Sequence, residues 1–233
     1  MNMITENLEM VRNSVRSAER EAGRPDGSVT LMAVSKLHPY DAVLEAYAAG
    51  QRLFGENHVQ EILEKFPPVR PEGMDVHLIG HLQSNKIKKI IPYVDGIDSV
   101  DSLPLLEKLN EACGEIGKVM PVLLEYNTSG EAAKSGFCSD ADLFSAIEAS
   151  RGFPNLTIQG LMTVGPLEGG PEKTREAFRQ LRRLQEECRK RYPQMDFSVL
   201  SMGMSGDFPI AIDEGSTLVR IGTMIFGQRN YGT

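Results

Sequence analysis

The chain is poor in cysteine, in basic charge and in long apolar runs, and it contains no tryptophan. Cys113, Cys138 and Cys188 are odd in number and widely spaced, which argues against a disulfide framework and against a thiolate metal site. A reducing compartment fits that usage. Only 25 lysines and arginines stand against 32 acidic residues, a formal net charge of −7. Such a surface repels phosphate backbones, so nucleic-acid binding is not expected. No apolar run approaches membrane-spanning length. The segment MNMITENLEMVRNS carries acids and amides where a signal peptide has its apolar core. The expectation is a cytoplasmic protein without a membrane anchor. Linker-like and low-complexity stretches are absent too, so residues 1–233 read as one domain, long enough to bury a core without disulfide or metal staples.

What is present is a rhythm. Residues 3–22 place Ile4, Leu8, Val11, Val15 and Ala18 at three- and four-residue spacing, an amphipathic helix. Eight strand-like runs follow, at 31–36, 52–57, 75–80, 96–100, 119–126, 156–164, 197–203 and 217–227. Seven helix-like stretches fall between them, at 39–49, 58–66, 84–91, 103–113, 139–149, 171–192 and 206–214. Asn57 with Gln60, and Ser139 with Asp142, have capping-box spacing. Pro171 suits a first helical turn, and Phe178, Leu181 and Leu184 give that helix a narrow apolar stripe. Strands alternating with helices through short connections predict a (β/α)8 TIM barrel with an extra N-terminal helix. An open doubly wound sheet is the alternative.

In such a barrel the working groups lie at the C-terminal ends of the strands. The run LMAVSK ends on a lysine. Period-two alternation puts Thr30, Met32, Val34 and Lys36 on one face, so the Lys36 amine would enter the barrel mouth. A desolvated amine is a nucleophile toward carbonyls; a lysine snorkelling to solvent is the alternative. The segments LSMGMSGDF and VRIGTMIFG occupy the loops after strands seven and eight, where barrels often hold phosphate. Ser201, Met202, Gly203, Ser205, Gly222 and Thr223 offer hydroxyl and amide donors there, or else simply make tight turns and a helix cap. Arg220 shares a strand face with Gly222 and needs an acceptor, since an unpaired buried charge is very costly. That acceptor could be a barrel carboxylate or a heterocyclic ligand nitrogen. The four histidines read as bland: His38 and His58 as solvated residues at helix starts, His77 and His81 as too poorly placed for a metal site.

With AVSK, FGEN, HLIGHLQSNK, KSGF, GLMTV, LSMGMS and VRIGTMIFG in this order, the sequence resembles the pyridoxal phosphate homeostasis family. These are single-domain barrels similar to the N-terminal domain of alanine racemase, the PLP fold type III. The resemblance covers nearly the whole chain and implies pyridoxal 5'-phosphate (PLP) as cofactor. It implies a Schiff base on Lys36, phosphate binding by Ser201, Gly222 and Thr223, Arg220 against the pyridine nitrogen, and Asn57 near the cofactor face. It gives no sharp role to His81, Lys86 or Lys134.

The implied function is PLP carriage: holding the vitamin on Lys36, then releasing or transferring it, with apo PLP-dependent enzymes as recipients and a monomer as the working form. A racemase-like enzyme is the alternative. It needs a second acid–base group, which racemases of this type draw from an additional C-terminal domain. The chain stops six residues after Gly227, so no catalytic residue is assigned and racemisation is expected to be negligible. A Schiff-base aldolase or phosphate-metabolite isomerase on the same barrel is a third possibility that fold does not separate.

Overall fold

The computed structural model describes residues 3–131, 134–166 and 168–228. Eight short strands, β1 Thr30–Val34, β2 Leu53–Glu56, β3 Asp75–Leu78, β4 Gly96–Val100, β5 Met120–Glu125, β6 Leu156–Met162, β7 Val199–Ser201 and β8 Leu218–Ile221, form a closed barrel in chain order. All pairings are parallel, and β8 returns to β1 with Thr30 opposite Leu218 and Ala33 opposite Ile221. The predicted TIM barrel is therefore the fold. Between the strands run α2 Tyr40–Ala48, α3 Val59–Lys65, α4 Ile87–Ile90 behind a 3-10 turn at Ser84–Lys86, α5 Leu103–Glu115, α6 Asp140–Ser150, α7 Gly170–Arg191 and α8 Phe208–Asp213. The expected N-terminal helix is α1, Met3–Glu21.

The alternation of side chains across each strand explains the layering. Outward residues such as Phe54, Val76, Leu78, Ile97, Leu124, Val219 and Ile221 are fully buried among Val43, Ile62, Leu106, Ile147 and Leu181 of the helices. Covering both faces of a parallel sheet removes apolar area from water on two sides of every strand. Because α8 is only six residues long, α1 packs beside it and buries Ile4, Leu8, Val11 and Val15. It also reaches the short helix α9, Thr223–Phe226, where Asn7 Nδ2 donates to Ile225 O at 3.0 Å.

That helix corrects the reading of 217–227 as one strand. The ladder ends at Ile221, and Thr223–Phe226 is a helical turn after Gly222. An apolar run this short carries no period that separates strand from helix. The first run is shorter as well: β1 stops at Val34, two residues before Lys36. Ser139 caps α6 as expected, accepting from Asp142 N at 3.1 Å. The other capping box does not form: His58 is the N-cap of α3 and makes no side-chain cap bond. Pro171 sits in the first turn of α7, and Phe178, Leu181 and Leu184 are buried. Among the described residues no helix is long and apolar enough to cross a membrane, and no group of three or more His, Cys, Asp or Glu is placed to hold a metal ion.

Candidate functional site

The end of β1 is braced from outside the barrel. Ser35 is fully buried; its Oγ donates to Glu56 Oε1 at 2.6 Å and its amide to Gly55 O at 3.2 Å. Lys65 Nζ donates to Ser35 O at 2.9 Å, Glu56 Oε1 at 2.8 Å and Glu61 Oε1 at 2.6 Å. Burial pushes the Glu56 carboxyl up, against the pull of the Lys65 ammonium. Glu61 Oε1 also accepts from Leu37 N at 2.5 Å. Leu37, at φ 65°, is the one non-glycine residue with positive φ among those described. That conformation costs a side chain about 1–2 kcal/mol. The brace holds the chain there, and Lys36 lies between the two clamped residues.

Lys36 faces a cavity of about 310 Å3, within the size range of small-molecule sites. Of the expected residues, Lys36, Asn57, Arg220, Gly222 and Thr223 line it together. Met204, Ser205 and Gly206 supply the wall after β7, and no carboxylate is among the described lining residues. On a chain with formal net charge −7, a cavity whose described lining holds two cations and no acid attracts an anion.

Arg220 is almost wholly buried. Its Nη1 donates to Ser201 Oγ at 2.6 Å and its Nη2 to Thr163 O at 2.8 Å. Both acceptors are neutral. Burial lowers the affinity of the guanidinium for its proton, while Asp98, Glu125 and Asp207 raise it from beyond ion-pair distance. Asp98 Oδ1 is taken by His77 Nδ1 at 2.8 Å. Glu125 is pushed up to about 7, first by burial and next by Asp101, with Arg220 opposing. Arg220 thus remains a donor without a contacting carboxylate, as the ligand-nitrogen reading of this residue requires.

Ser201 is placed differently from the other expected residues. It is fully buried, lies outside the lining of the cavity and serves as an acceptor for Arg220. The loop after β7 offers Ser205 and Gly206 instead. Their amides donate to no group among the described residues. Asp207 Oδ1 holds the loop by accepting from Met204 N at 2.6 Å. Two glycines are dictated by space. A Cβ on Gly222 would lie 2.8 Å from Val34 O, and one on Gly203, at φ 98°, would lie 2.6 Å from Ala211 Cβ.

His38, read from sequence as solvated, also lines the cavity and stacks on Phe226 with ring centroids 5.2 Å apart. Its count of two past Lys36 was no guide, because Leu37 between them has left the strand at φ 65°. Met204 likewise belongs to the lining rather than the core, whereas Met202 is fully buried. Lys134 stands apart from the cavity lining, with Nζ 2.8 Å from Glu131 Oε1 and 2.8 Å from Gly165 O.

A closed eight-stranded barrel with a lysine after β1 and an arginine on β8 defines a class, and comparison agrees: the family described as "Alanine racemase, N-terminal domain" matches residues 7–230. Within it, the chain belongs to the pyridoxal phosphate homeostasis protein family. The protein of that name from Vibrio cholerae serotype O1 is 43% identical over 237 residues, covering 99% of this chain and 98% of the relative. The Pseudomonas aeruginosa protein of the same name is 42% identical over 238 residues, covering 100% and 98%. The structure of PipY from Synechococcus elongatus with PLP bound superposes with a TM-score of 0.82 at 38% identity, covering 96% of this chain and 100% of PipY. Alanine racemase of Clostridium difficile shares the fold alone, at 14% identity and a TM-score of 0.73, with 57% of its length covered.

Proposed function

We propose that this chain binds PLP in the Lys36 cavity and works as a carrier in PLP homeostasis, holding and releasing the vitamin without turning over a substrate. The observation that carries the proposal is the convergence of the Lys36 amine and the buried Arg220 on one cavity that no carboxylate of the described residues lines. When bound, PLP supplies an aldehyde that condenses with a primary amine, a phosphate dianion and a pyridine nitrogen.

The residues fit those three groups. Lys36 would hold the aldehyde carbon. Ser205, Gly206 and Thr223 would hold the phosphate, beside Gly222, whose lack of a Cβ lets it pass Val34 O. Arg220 would donate to the ring nitrogen, and Asn57 would flank the ring. Ser201 and Thr163 position Arg220 for that contact. A guanidinium gives up its proton poorly, so the ring nitrogen would accept a hydrogen bond without becoming protonated. That weakens the ring as an electron sink and favours holding over carbanion chemistry. Among the described residues, no tyrosine lines the cavity to act as a second acid–base group. The solved PLP complex of PipY and the names of the relatives support the same reading. The proposal extends to a monomeric, cytoplasmic carrier whose recipients are apo PLP-dependent enzymes.

The test is chemical. Purified protein mixed with PLP should develop a visible absorption band, and borohydride should fix PLP mass on the Lys36 peptide. Both should vanish in Lys36→Ala. A colourless mixture, or label on another lysine, would overturn the assignment. Rapid solvent-deuterium exchange at Cα of alanine would turn it into a racemase.

A further inference from the structure

A second cavity, of about 410 Å3, adjoins the first, and Asn57 lines both. Its other polar walls are His58 and Gln60 at the start of α3, His81 after β3, and Gln83 and Lys86 of the turn before α4. No carboxylate of the described residues lines it. Lys86 is half-buried and forms no ion pair among the described residues. The turn that carries it is fixed: Lys86 N donates to Gln83 O at 2.9 Å, and the flanking Leu82 and Ile87 are both buried. Holding a cation half out of water without a counter-ion is unfavourable unless an anion is drawn to it. One acid opposes this beside the cavity: Asp101 Oδ2 lies 3.2 Å from His81 Nδ1.

We infer that this cavity is a subsite for the α-carboxylate of a free amino acid. One ammonium beside three side-chain amides suits a monoanion of carboxylate size; a phosphate dianion would call for more positive charge. Strand order supplies the geometry. Around the ring, β7 and β8 carry the anion loops, β1 carries Lys36, and β2 and β3 carry the second cavity. A carboxylate held by Lys86 therefore lies on the other side of Lys36 from Ser205 and Gly206. The amine of the same molecule, two bonds from its carboxylate, would then be turned toward the wall shared at Asn57. The purpose of that placement, offering an amine to the PLP cavity, rests on the proposed function; the binding itself does not.

The inference is tested on isotopically labelled apo-protein by NMR titration with L-alanine and, separately, with ethylamine, which is alanine without its carboxylate. Alanine should produce saturable shifts at Gly80, His81 and Lys86, and ethylamine none. Lys86→Ala should weaken alanine by about tenfold, while Lys86→Arg should retain it. Absent shifts, equal shifts with ethylamine, or unchanged affinity in Lys86→Ala would overturn the subsite. PLP uptake, followed by absorption, should be equal in wild type and Lys86→Ala. Loss in the variant alone would make Lys86 part of the PLP cavity and end the subsite as a separate entity. Failure in both would end the carrier reading, and the alanine titration would still decide the subsite.

Discussion

The two sides of the β1 end handle charge in opposite ways. On the outer side, Lys65 is buried with two carboxylates and a carbonyl on its ammonium. On the inner side, Arg220 is buried too but, among the described residues, donates only to a hydroxyl and a carbonyl, and no carboxylate lines the cavity beside it. A saturated cation holds structure together. A cation given neutral acceptors keeps its field for a ligand. Position in the barrel and residue type are similar; the difference lies in where the acids are withheld.

The sharpest way to break that comparison is Lys65→Met. It leaves Glu56 buried beside Ser35 without its counter-ion, and removing one partner of a buried pair costs about 3–5 kcal/mol. Denaturant unfolding should show that loss, and the double variant with Glu56→Leu should recover most of it. A single variant as stable as wild type would mean that the outer pair braces nothing.

A smaller effect is expected from Glu125→Gln on the inner side. Burial raises the Glu125 carboxyl from 4.5 to about 7, so the folded state favours its protonated form. The stability from this group is complete below pH 4.5 and is lost as pH rises through about 7. Apo wild type should therefore lose roughly 2–3 kcal/mol relative to the glutamine variant between about pH 5 and 8. Parallel pH–stability curves for the two proteins would show that Arg220 already neutralises this carboxylate.

The smallest effect concerns the joint between the two sides. Leu37→Gly relieves the positive φ but loosens the unfolded chain, for a net gain of about 0.5 kcal/mol in the urea midpoint. A clear loss would show that the half-exposed Leu37 side chain packs usefully.

The barrel was legible because alternating strands and helices impose two different periods on one chain. Lys36 and Arg220 were legible for a related reason: counting by twos along β1 and β8 aims both inward. The count fails where the backbone leaves the strand. Leu37 turns to positive φ, so His38 could not be aimed from spacing. Gly222 turns the last run into α9, which a short apolar segment does not announce. Ser201 was read from its place after strand seven and from the family resemblance; neither reveals that its hydroxyl oxygen accepts from the Arg220 guanidinium.

The contact between α1 and α9 has a consequence for timing. Asn7 and Ile225, 218 positions apart, meet at the short helix that begins with Thr223, a residue of the cavity lining. A nascent chain carries Lys36 early in synthesis, yet the wall that Arg220, Gly222 and Thr223 give the cavity exists only after the eighth strand has joined the first. Under the proposed function, capture of a reactive aldehyde would be deferred until the ring is shut.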